Sequence, residues 1–225
     1  NMHTKEKLAA GLPDQNYTVA AVQRNFWKQS NFTLSYVNKE SLGVNDRDTL
    51  KYFHEDLLKY RVNGSDTIPA FSRYNRVLTA DLDMRSANNT WTANFYYTGS
   101  FSPMVTDKRL SGGGFVLYTK RKVNLAAGST FVQKNYNAEA GFVPSRNVYP
   151  GLTSYFVEGE YIMFPKTKSL VNMGVGTEFN VNVIPGGKIA DKAFSLGYGF
   201  NFMNTSELVV YYYQTYQQLT SSFNP

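Results

Sequence analysis

Leu78-Thr79-Ala80-Asp81-Leu82-Asp83-Met84-Arg85, a polar turn at Ser86-Ala87-Asn88-Asn89, and then Trp91-Thr92-Ala93-Asn94-Phe95-Tyr96-Tyr97-Thr98 decide the fold. Leu78, Ala80, Leu82 and Met84 alternate with Thr79, Asp81, Asp83 and Arg85. Trp91, Ala93, Phe95 and Tyr97 alternate with Thr92, Asn94, Tyr96 and Thr98. Side chains of a strand point to opposite faces with period two, so each run has one apolar and one polar face. The turn between them makes an antiparallel hairpin with one oily and one wet side. Weak alternation over about ten residues, with aromatics on the apolar side, is the repeat unit of a transmembrane β-barrel.

The same pattern extends outward in both directions. Residues 1–5 read as the tail of a strand. Residues 16–27 read as a strand with Thr18, Ala20, Val22 and Phe26 outward and Arg24 near a rim. Phe32, Leu34 and Tyr36 form the next apolar face. Within the long polar segment 40–73, the apolar spacing of residues 50–59 predicts a short surface helix. Beyond the hairpin, Phe115 and Leu117 begin a strand, Lys120-Arg121-Lys122 turns it, and Val123, Leu125, Ala127 and Phe131 return. Tyr155, Val157, Gly159, Tyr161 and Met163 oppose Ser154, Phe156, Glu158, Glu160 and Ile162. Val171, Met173, Val175, Thr177 and Phe179 follow, and then Phe194, Leu196, Tyr198, Phe200 and Phe202, the cleanest face in the chain. Residues 208–216 form the last strand. Short turns near residues 29, 87, 121, 166 and 205 alternate with longer loops, as in bacterial outer-membrane barrels. The expected fold is therefore all-β, an antiparallel up-and-down transmembrane β-barrel of about ten strands belonging to a larger barrel.

Composition agrees. The 225 residues include 17 Tyr, 16 Phe and 17 Gly, and no Cys. There is thus no disulfide framework and no thiol chemistry. Only His3 and His54 are present, too few for a His-rich metal site, and no cofactor is implied. No apolar run is long enough for a membrane helix. A net charge of +6 comes from scattered Lys and Arg with no basic, aromatic strip, so nucleic acid is not an expected partner. Basic loops suit anionic lipid head groups. The chain opens on Asn1-Met2-His3-Thr4 without the charged and apolar regions of a signal peptide, and closes on Phe223-Asn224-Pro225 rather than on a strand with a terminal aromatic. The expectation is one barrel region over residues 1–225, an internal or partial segment of a longer protein.

No catalytic constellation emerges, so enzymatic activity stays an open question. Ser111-Gly112-Gly113-Gly114 precedes a strand where a phosphate loop would precede a helix, and its expected role is to let the backbone bend at a rim. Asp81 with Asp83, and Glu158 with Glu160, each share a strand face, and Glu178 lies on another. They are candidate lumen binding residues. A glycosidase acid/base pair or a cation site would use such carboxylates. The ordinary alternative, and the favoured one, is a lumen wall balanced by Arg85, Arg76 or another basic strand.

The densest motif is Asn135-Tyr136-Asn137-Ala138-Glu139-Ala140-Gly141-Phe142-Val143-Pro144-Ser145-Arg146. It resembles the Asn-Phe-Asn-Pro-Glu-x-Gly-Phe pattern, followed closely by Arg, of a Gram-negative outer-membrane family of unknown function. Members of that family carry an N-terminal module similar to family-9 carbohydrate-binding domains. Asn1-Met2-His3-Thr4 and residues 16–24 also resemble its barrel strands. Tyr136 stands for the Phe, Ala138 for the Pro, Arg146 comes one residue late, and Ala21 stands where an Arg is usual. The resemblance implies a barrel behind a sugar-binding module, in the bacterial outer membrane, with Asn135, Glu139, Gly141, Phe142 and Arg146 as the motif loop. The expected function is glycan binding or uptake, or membrane anchoring of a carbohydrate-binding protein. Lipid, glycans and other envelope proteins are the expected partners. One alternative is a structural subunit of an envelope or secretion assembly. Another is a glycoside hydrolase whose active site lies outside this segment. Read from residues alone, the motif is a loop that folds into the lumen, with Gly141 in a tight turn and Phe142 as its anchor.

Overall fold

The computed structural model describes residues 2–5, 13–43, 62–63, 66–67, 73–103, 105–140 and 151–218. The strands are β1 (Met2–Thr4), β2 (Gln15–Phe26), β3 (Ser30–Ser41), β4 (Val62–Asn63), β5 (Asp66–Thr67), β6 (Tyr74–Arg85) and β7 (Trp91–Phe101). They continue as β8 (Leu110–Lys120), β9 (Val123–Val132), β10 (Leu152–Met163), β11 (Leu170–Ile184), β12 (Lys188–Phe202) and β13 (Glu207–Gln217). Eleven of them form one sheet in the order β1-β2-β3-β6-β7-β8-β9-β10-β11-β12-β13, and β4 pairs β5 separately. Every ladder in the large sheet is antiparallel, and each strand pairs its neighbour in the chain, with the β4–β5 hairpin set aside. The protein is thus all-β, a single up-and-down sheet of eleven strands. No ladder joins β13 to β1 or β2 among the described residues.

The hairpin read from residues 78–98 is β6 and β7, with Leu82 opposite Phe95 and Ala80 opposite Tyr97. Directly opposed residues share a face, so registers carry the two faces around the whole sheet. The turn between them is tied by side chains. Thr90 N donates to Asn88 Oδ1 at 3.1 Å, Trp91 N donates to Ser86 Oγ at 2.9 Å, and Asn89 takes a positive φ of 55°.

The apolar face is uncovered. Val157 is 55 % exposed, Tyr97 52 % and Leu196 45 %. The polar face is packed over β3, β6 and β7, with Lys39 2 % and Asn75 1 % exposed. Among the described residues only Val77, Ala93, Tyr136 and Ala190 are buried hydrophobic side chains.

Several expectations change. Phe115 and Leu117 lie on the polar face, since Phe115 opposes Asn94 and Gly128, and Leu117 opposes Thr92 and Ala126. The outward residues of β8 are Gly112, Gly114, Val116 and Tyr118. Gly112-Gly113-Gly114 does not bend at a rim but sits in the ladder between β7 and β9. The connection at Pro185-Gly186-Gly187 is short, and β11 and β12 lengthen to 15 residues each instead. The helix expected over residues 50–59 lies outside the described residues. No helix among the described residues is long and apolar enough to cross a membrane, which says nothing about crossing by strands.

Candidate functional site: a plugged side and a hollow side of the polar face

Residues 133–140 follow β9 and fold back over the polar face. Glu139 meets Lys39 on β3, Nζ to Oε2 at 2.6 Å, with the two side chains 2 % and 10 % exposed. The segment crosses β8, β7 and β6 to get there. Four strand spacings make roughly 19 Å, within reach of an eight-residue segment. Asn75 on β6 holds the crossing: its Nδ2 donates to Asn137 O at 2.8 Å, and its Oδ1 accepts from Glu139 N at 3.0 Å. On β7, Ser100 Oγ accepts from Asn137 N at 2.9 Å. Tyr136 is buried, with its hydroxyl 3.4 Å from Thr98 Oγ1, and Thr79 Oγ1 donates to Thr98 at 2.8 Å. Asn135 anchors the near end through Nδ2 to Asp107, at 3.2 Å to both its O and its Oδ1. The expected loop over the polar face is therefore present, but among the described residues Asn135, Tyr136, Asn137 and Glu139 anchor it. Gly141, Phe142 and Arg146 lie outside the described residues. Glu139 is engaged with a buried cation.

The aspartates lie side by side on the polar face of β6. Asn94 Nδ2 donates to Asp83 Oδ1 at 2.9 Å and to Asp81 Oδ1 at 3.3 Å. A neutral amide bridges the two carboxylates. Arg85 shares their face, but Arg76 is on the other one, where its guanidinium lies 4.5 Å from the Tyr74 ring centroid and its Nε donates to Asn38. Arg76 does not balance this pair.

The glutamates are arranged differently. Glu158 and Glu160 on β10 and Glu178 on β11 line one hollow of about 590 Å³, together with Asn124, Tyr211 and Tyr213. Glu158 stands directly opposite Glu178. Glu160 accepts from Asn124 Nδ2 at 2.7 Å, and Glu178 accepts from Asn180 Nδ2. The chain brings Glu178 to the Glu158–Glu160 pair and leaves Asp81 and Asp83 apart, since β7, β8 and β9 lie between. Among the described residues no group of three or more His, Asp or Glu is placed to hold a metal ion.

No family model, curated protein or solved structure matches this chain. Tyr211 and Tyr213 were not singled out by the sequence. The available signal was Tyr211-Tyr212-Tyr213, three consecutive aromatics in a strand that puts Tyr212 on one face and its two neighbours on the other. Lys39 and Asn75 carried no local signal, because their partners lie 100 and 62 residues away in sequence.

Proposed function

We propose that this chain forms part of the wall of a bacterial outer-membrane β-barrel that binds or admits glycans, or anchors a carbohydrate-binding protein. The observation that carries the membrane part is the uncovered apolar face. No second layer covers it among the described residues, and lipid is a solvent in which such a face is stable. It is rich in aromatics. Phe32, Trp91, Tyr118, Tyr161 and Phe200 lie toward the short-turn end, and Tyr97, Phe131 and Tyr155 toward the loop end. Phe95, Phe194 and Tyr212 lie near strand centres, among Leu34, Ala80, Val116, Ala127, Val157 and Leu196. Aromatics gathered toward the two strand ends suit the two interfaces of a membrane barrel. Arg121 lies 4.8 Å from the Phe164 ring centroid beyond one end, and Arg109 4.5 Å from Phe101 beyond the other. Rim cations in those positions meet lipid head groups.

The glycan part rests on tyrosines and carboxylates converging in the hollow, and on the resemblance of residues 135–146 to a family with a sugar-binding module. Expressed in its full-length context in a Gram-negative host, the protein should sediment with the outer membrane and resist carbonate extraction. Recovery as a soluble monomer overturns the membrane reading. A second reading, a structural subunit of an envelope assembly, is favoured by residues 133–140 sealing the β3–β8 side. Conductance in planar bilayers separates the two: a purely structural wall passes neither ions nor oligosaccharide.

A further inference from the structure

The inference rests on the glycan reading and assigns its site. On the polar face Gly174 opposes Gly199, and Gly176 opposes Gly197. A Cβ added at Gly199 would meet nothing within 4 Å, and at Gly176 or Gly197 its nearest neighbour would be 3.8 or 3.7 Å away. A Cβ at Gly174 would sit 3.1 Å from Tyr161 O, so the room lies over Gly176, Gly197 and Gly199. Over Gly112, Gly114 and Gly128 there is none: Phe131 and Phe95 cover the first two, and Phe156 covers the third. Across β10 to β13 one row reads Glu160, Gly176, Gly197, Tyr211, and the next reads Glu158, Glu178, Ser195, Tyr213. The result is a trough with a backbone floor, carboxylates along one wall and tyrosine rings along the other. Three strand spacings put the walls roughly 14 Å apart along the sheet.

We propose that this trough is a subsite for a neutral pyranose unit of an oligosaccharide. The Tyr211 ring takes the apolar face of the sugar, and Glu158, Glu160 and Glu178 accept from its hydroxyls. Three observations select that chemistry. Glu158 and Glu178 are like charges directly opposed, an unfavourable pair that donors shared between them would relieve. Asn124 Oδ1 is buried with no hydrogen-bond partner while its Nδ2 serves Glu160, so an acceptor at the trough wall awaits a donor. The polar face of β8 to β13 carries Glu158, Glu160, Glu178, Asp191 and Glu207 against one cation, Lys188, which stands opposite Ile184 at the far end of the β11–β12 ladder, although the whole chain is net +6. Among the residues that line the trough, a uronate, sulfate or phosphate sugar would meet only negative charge. A volume of about 590 Å³ suits a small ligand.

The test is calorimetric titration of the full-length protein in detergent with maltohexaose, cellohexaose and xylohexaose, and with an oligogalacturonate as the anionic counterpart. At least one neutral hexasaccharide should bind, and oligogalacturonate should bind more weakly. Tyr211→Ala and Glu160→Gln should each weaken binding by about ten-fold or more, from lost stacking and a lost charged acceptor. Gly197→Leu, which fills the floor, should abolish binding. Tyr212→Ala, on the opposite face of the same strand, should leave it unchanged, and a heat-modifiable gel shift checks that each variant is folded. Binding that ignores the trough variants, or that prefers oligogalacturonate, overturns the trough and leaves the glycan reading standing. No binding by any of the four oligosaccharides overturns both.

Discussion

Lys39 and Glu139 show what single residues contribute to this sheet. Both side chains are out of solvent, at 2 % and 10 % exposure, and they tie a loop to a strand 100 residues away. Removing one partner of a buried pair strands the other charge, at a cost of about 3–5 kcal/mol. Glu139→Gln or Lys39→Met should therefore lower the urea midpoint in detergent sharply. Replacing both, as Lys39→Met with Glu139→Leu, should cost much less, because no uncompensated charge remains. A double variant as unstable as the singles would show that the pair is not the anchor. A second contrast tests the faces themselves. Leu196 lies on the uncovered face and Ser195 on the polar one. Arg at position 196 should cost about 2–4 kcal/mol near mid-membrane, and Arg at 195 clearly less. Equal losses in folding titrations into lipid would reject the assigned faces. At this scale the sequence was a partial guide. Glu139 stood out within a motif, but its partner could not, since nothing near Lys39 announces a contact made by a distant loop.

At the scale of the element, legibility followed how much of a strand's own sequence sets its face. In β6, β7, β10 and β12 the alternation is internal, and the expected and observed faces agree. In β8 it is not. Gly112 and Gly114 have no side chains, so Phe115 and Leu117 dominate the pattern and suggest the wrong outward face. Phe131 and Phe95 supply the outward surface there from the neighbouring strands, and periodicity read within one strand cannot see a ring leaning across from the next. This gives the glycines two distinct roles that mutation separates. A Cβ at Gly113 would sit 2.6 Å from Ser129 O and 2.8 Å from Thr130 Cγ2, whereas one at Gly199 would meet nothing within 4 Å. Gly113→Ala should destabilise by about 1–3 kcal/mol through overpacking, and Gly199→Ala should be close to neutral. Thermal unfolding of the two variants in detergent makes the comparison, and similar midpoints would reject it. The trough was illegible for a related reason. Its floor comes from β11 and β12 and its walls from β10 and β13, so it exists only once three registers are fixed.

At the scale of the whole molecule, the proposed barrel must leave no edge in lipid, where each unpaired backbone group costs several kcal/mol. The sheet itself constrains how that can be done. Strand direction alternates through all eleven strands, so β1 and β13, the outer two, run the same way. Bringing them together would make one parallel seam in an otherwise antiparallel sheet. The ten strands from β2 to β13 are even in number and could close antiparallel, but β1 already occupies the outer edge of β2 at Gln15 to Tyr17. A barrel that keeps the β1–β2 ladder and stays antiparallel throughout therefore has an odd number of further strands between β13 and β1. The chain contains no Cys, so the alternative can be tested without background. Val22→Cys on β2 would be paired in turn with Leu208→Cys, Val210→Cys and Tyr212→Cys on β13, all on the apolar face. Oxidation in isolated outer membranes should give no intramolecular disulfide in any of the three, because at least one strand spacing separates the two edges from contact. A high-yield disulfide in one pair would mean that the ten long strands close directly along β2 beyond the three residues, Gln15 to Tyr17, that β1 pairs. In that case Tyr211 and Tyr213 would lie next to β2, and the trough would be a groove inside a small closed lumen.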